Sequence, residues 1–153
     1  MFDSLKDFLR SLGNEKAGDL DADDPRVAAA ALLFHVSEAD GIVTDAERQR
    51  LRTLLADEFG LGPSETEAVA AAGQEAEAEA VDLFRFTSVL KAQLEEERRI
   101  RFVELLWAMT YADGQVHELE DNLIWRIAEL LGVSTRDRMT MKHRAAARSA
   151  EAG

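Results

Sequence analysis

The phrase Ala-Asp-Gly occurs twice, at 39–41 and 112–114, and each copy closes an apolar run with helical spacing. Behind each glycine the same two residues return at the same distances: Val43 and Glu47 in the first copy, Val116 and Glu120 in the second. The correspondence reaches further out. Leu32, Leu33 and Phe34 match Leu105, Leu106 and Trp107; Leu51 matches Ile124; after a one-residue slip, 59–64 matches 131–134. A helix, a turn at Asp-Gly and a second helix therefore form a unit written twice. Gly41 and Gly114 stand where a helix must stop, a place that favours glycine. The rest of the chain has only two prolines and no strand-like alternation. The expected fold is all-α: a single-domain bundle of about seven to eight helices with an internal duplicated helix-loop-helix related by a pseudo-twofold axis.

Local signals place the helices. Phe2, Leu5, Phe8, Leu9 and Leu12 share one helical face, and a polar, acidic linker follows over 13–24. This divides the chain into an N-terminal amphipathic helix with its linker (1–24) and a helical domain (25–148). The polar face of the first helix is mixed, Asp3, Lys6, Asp7 and Arg10, rather than rich in Lys and Arg as a membrane-surface helix would be. It suits docking on the body of the protein or on a second copy, a possible homodimer. Asp24 and Pro25 read as a cap and first turn. The helix after them is apolar on nearly all sides, as in the middle of a bundle, with His35 expected as a core residue. Thr44 and Glu47 form a capping box, Ser64 and Glu67 a second candidate, and Ser134 and Asp137 cap the last helix. Gly73 weakens the stretch after Pro63, and a break is expected near 77–82. Leu83, Phe84, Phe86, Val89, Leu90 and Leu94 form the next apolar face, then Ile100, Val103, Leu106, Trp107 and Thr110. Trp107 and Trp125 read as core or interface. Residues 95–99 read as a solvated helix start with local ion pairs.

The bulk numbers exclude whole classes. The chain has 153 residues, no cysteine and a formal net charge of −12. No thiolate site or disulfide exists, which fits a reducing compartment and a cytoplasmic location. So acidic a surface repels phosphate backbones and anionic lipid, so neither nucleic acid nor membrane insertion is expected. Residues 38–79 carry eleven Asp/Glu against three Arg, whereas the tail from Arg136 is basic. No P-loop, dinucleotide glycine pattern or nucleophile elbow occurs, so neither an enzyme nor an organic cofactor is expected.

The two loops carry the remaining chemistry. Asp, then Gly, then a Glu seven residues after the Asp matches the later part of a calcium-binding loop: ligand at position 5, glycine at 6, closing Glu at 12. Asp40, Glu47, Asp113 and Glu120 are the candidate metal ligands, with Glu38 and His117 as weaker ones. Their hard oxygens suit Ca²⁺, Mg²⁺ or Mn²⁺ better than Zn²⁺. Position 1 falls on Val36 and Met109, which supply no side-chain oxygen. Any site is therefore sparse, or shared between the loops. The competing reading is two plain turns: Glu47 already has a partner in Thr44, and an acid in a first helical turn complements the helix dipole. In the second copy His117 replaces Thr44 and is a poor cap residue.

With both phrases and the Leu-Gly-Val-Ser ending at 131–134, residues 26–140 resemble the TerB tellurite-resistance family, related to the N-terminal domain of the co-chaperone DjlA. The resemblance implies a bundle of about seven helices with internal pseudosymmetry. It implies acidic metal-binding positions at Asp40, Glu47, Asp113 and Glu120. It also implies a role in tellurite or general stress resistance, with protein partners in a complex near the inner membrane face. The chain lacks a J domain, so co-chaperone activity does not carry over. The alternative is a protein-interaction or adaptor module whose Asp-Gly loops are only structural turns.

Overall fold

The computed structural model describes residues 20, 23–39, 43–80, 82–111 and 118–152, and the side chains among them except at 118, 119 and 149–152. All regular structure among the described residues is helical. Seven helices follow in order: α1 (Pro25–Ser37), α2 (Asp45–Phe59), α3 (Pro63–Glu79), α4 (Phe84–Gln93), α5 (Glu96–Thr110), α6 (Glu118–Leu130) and α7 (Thr135–Ala152). No described helix is long and apolar enough to cross a membrane.

α1 is the axis of the bundle, as its all-round apolarity requires. Val27 to Phe34, Val36 and Ser37 are all buried, and α2, α3, α4, α5 and α6 each touch it. Asp24 caps it by accepting from the Arg26 backbone N–H at 2.9 Å and from the Arg26 guanidinium at 2.7 Å. Burial alone would raise the Asp24 pKa, but the hydrogen bonds and charge of Arg26 outweigh that and hold it below the ordinary value. Ser37, the polar residue at the buried C-terminus, donates to the Leu33 carbonyl at 2.8 Å.

The most extensive helix packing is α1 on α3. Gly73 is unbroken helix interior and lies against Ala30; a Cβ there would sit 2.4 Å from the Ala30 Cβ. The glycine is retained for contact rather than for bending, and α3 ends at Glu79, within the break expected from sequence. On the other side α5 packs on α7. Trp107 is fully buried, edge-on to Trp125 at 6.4 Å, and the Lys142 ammonium lies 5.0 Å from its ring centre.

Caps fall largely where the residues suggest. Thr44 and Glu47 form the full capping box at the start of α2, and Ser134 accepts from the Asp137 N–H. The Ser64–Glu67 box does not form. Gly62 is the N-cap of α3, Ser64 lies inside the helix, and Glu67 pairs with Arg52 instead. Gly60 and Gly132, matched in the sequence comparison, both take positive φ, at 64° and 76°. Both lie just past the helix that follows an Asp-Gly phrase, where a left-handed residue terminates the helix and glycine is preferred.

Three other expectations are corrected. His35 is half-buried and paired with Glu77 rather than enclosed in the core. Phe84 is 64 % exposed. Arg98, within 95–99, and Arg101 just after it both pair with Glu58, some forty residues away, so the ion pairing at this helix start is not only local.

Candidate cation site at the two Asp-Gly loops

Each Asp-Gly phrase falls between consecutive helices, the first between α1 and α2, the second between α5 and α6. The residues that open the two loops, Glu38 and Tyr111, are the C-caps of α1 and α5. Asp40, Asp113 and His117 lie outside the described residues. What the structure places are the flanks. Val36 and Met109, at the first ligand position of a calcium loop, are fully buried in the core. They are core anchors, consistent with their lack of a ligand oxygen.

Glu47 and Glu120 are each the third residue of the helix that leaves a loop, and each is only 2 % exposed. Burying a carboxylate is costly unless hydrogen bonds or a positive charge compensate it. For Glu47 part of the compensation is visible: the Thr44 N–H and hydroxyl both donate to its Oε1 at 3.1 Å. One oxygen therefore serves the cap. Asp45 and Glu47 in the first turn also complement the positive end of the α2 dipole.

Glu38 belongs to a second cluster beside the first loop. His35 Nδ1 lies 3.0 Å from Glu77 Oε1, and Glu38 shares a hydrogen bond with the Glu77 carboxylate. Partial burial, then the charge of Glu77 and that hydrogen bond, push the Glu38 pKa above the ordinary carboxylate value, against the opposing pull of His35 and Arg48. Among the described residues no group of three or more His, Asp or Glu is arranged to hold a metal ion.

Two acids were not singled out by sequence. Glu77 sits in the low-information run 75–80. Glu104 interrupts the apolar run 102–107, and that interruption is the signal that could have found it. Its side chain is 3 % exposed, with Arg148 at 2.7 Å, Arg144 at 3.7 Å and Arg101 at 3.9 Å. Two of those arginines come from α7, so the described part of the basic tail pairs with Glu104 and, through Lys142, with Asp121.

The family described as tellurite resistance protein TerB matches residues 26–143. The chain belongs to the TerB family. No match was found among curated proteins or among solved structures. The TerB match runs from the second residue of α1 through α6 into α7, spans both Asp-Gly phrases, and leaves out residues 1–25 and the end of α7.

Proposed function

We propose that this TerB-family chain is a non-enzymatic domain that binds a divalent cation, Ca²⁺, Mg²⁺ or Mn²⁺, through Asp40, Glu47, Asp113 and Glu120, in a tellurite or general stress response. One observation carries the reading: Glu47 and Glu120, at the same place in the helix after each loop, are both buried carboxylates. A buried carboxylate is compensated by hydrogen bonds or by positive charge, and burial at both repeated positions fits a cation as one source of that charge. A cation held by the loop aspartates and closed over by the helix-borne glutamates supplies it. Tellurite is an anion, so these acids would not hold it directly; a resistance role would run through the cation or a protein partner.

Calorimetric titration of each cation into the wild type and an Asp40→Asn/Asp113→Asn variant tests this. Saturable heat in the wild type and none in the variant supports it. No heat in either sinks it. The second reading, an adaptor whose loops are only turns, draws on the Thr44–Glu47 capping box, which accounts for one oxygen of Glu47 without any cation. It predicts that the double variant folds and retains its protein partners.

A further inference from the structure

The amphipathic segment at the N-terminus and an apolar groove on the body point to each other. The groove, of about 490 Å³, lies between the end of α3, the start of α4 and one face of α6. Leu83, Phe84, Leu123, Ile127 and Leu130 give it an apolar lining. Leu123 and Leu130 are partly buried on this side of α6, and Ile127 between them is fully buried and forms the floor. Phe84 forms its lip and is 64 % exposed, the most exposed large apolar residue among those described. Glu77, Asp82 and Arg126 supply charges among the lining residues.

The described chain begins beside this groove. Leu20 packs against the core, and Asp23 is held on α4: its carboxylate lies 3.2 Å from Arg85, and its carbonyl accepts from Gln93 at 2.9 Å. Arg85 adjoins Phe84 in sequence. Between Leu12 and Leu20 run seven residues that include two glycines. Such a linker spans up to roughly 25 Å when extended, ample to bring the segment back over α4. Phe2, Leu5, Leu9 and Leu12 recur at i, i+3, i+7 and i+10, and Lys6 and Arg10 stand four apart as partners for Glu77 and Asp82.

We infer that residues 2–12 dock as a helix in this groove of the same chain, covering Phe84 and the α6 face. One end of this groove is the His35–Glu77 pair beside the first Asp-Gly loop, but the inference does not depend on cation binding.

The absence of cysteine makes the test direct. A spin label on a single Ser11→Cys in the full-length, isotope-labelled chain should broaden the amide signals of Leu83, Phe84, Leu123 and Ile127. Adding Leu5→Asp and Leu9→Asp should restore those signals while the rest of the spectrum stays folded. Phe84→Ala, an exposed site whose truncation leaves the core intact, should weaken the broadening. Spin-labelled unlabelled-isotope chain mixed with isotope-labelled chain separates the other occupants. Broadening only in that mixture would mean a second copy fills the groove and would overturn the inference. So would broadening elsewhere, none at all, or release of the segment by anionic vesicles with no groove contact in their absence.

Discussion

The two helix-loop-helix units share a phrase but are backed by different chemistry. α1 is backed by α3 through small side chains, with Gly73 against Ala30. α5 is backed by α7 through Met141 and Ala145 together with a buried charge, Glu104, ringed by Arg101, Arg144 and Arg148. The first interface depends on close backbone approach and has no room to adjust. The second depends on long arginines, about half-exposed, that can rearrange. Small-residue contact concentrates the cost of error at one position, whereas a charge cluster spreads it.

The contrast predicts its own largest effect. Gly73→Ala should destabilise the fold by about 1–3 kcal/mol in urea unfolding, because overpacking at α1–α3 outweighs the helix propensity gained. Propensity alone predicts the opposite sign, so a more stable variant would break the comparison. Glu104→Ala should cost less, toward the lower end of roughly 1–3 kcal/mol, since its arginine partners regain water. A cost equal to or above that of Gly73→Ala would show that α5–α7 is as brittle as α1–α3. Thr44→Ala should lose about 1 kcal/mol through the α2 cap, which isolates the part of the Glu47 environment that the cap supplies.

The smallest effect depends on pH. The folded pKa of Glu38 is raised, so its deprotonation opposes folding. Its stabilising contribution is present below the ordinary carboxylate pKa and is lost as pH rises through the raised folded value. Glu38→Gln should therefore be slightly more stable than the wild type at neutral pH and indistinguishable in acid. The difference should be small because Glu38 is more than a third exposed. Matched urea titrations at the two pH values check the sign; a gap that widens in acid would contradict the account.

Much of the fold was legible because its signals are local. The Thr44–Glu47 box, Asp24 before Pro25 and the uniformly apolar α1 each depend on neighbours within one or two turns, and all three appear as read. What was missed depends on partners distant in sequence. Glu67 left its supposed box for Arg52, and His35 found Glu77, forty-two residues away. Gly73 read as a weakness because its reason, Ala30, lies on another helix. The candidate site was legible in half: the repeated glutamates were visible as a pattern, but their shared burial is a property of the folded bundle.

That shared burial is the centre of the account, and unfolding with and without cation tests it most directly. A cation that binds only the folded chain stabilises it by about 2.7 kcal/mol at one hundred times its dissociation constant. Urea unfolding of the wild type should shift to higher midpoint with saturating Ca²⁺, Mg²⁺ or Mn²⁺. The shift should shrink in Glu47→Gln and in Glu120→Gln alike, and vanish in Asp40→Asn/Asp113→Asn. Midpoints unmoved by any of the three cations in the wild type would contradict it, and would leave the two buried glutamates as purely structural residues.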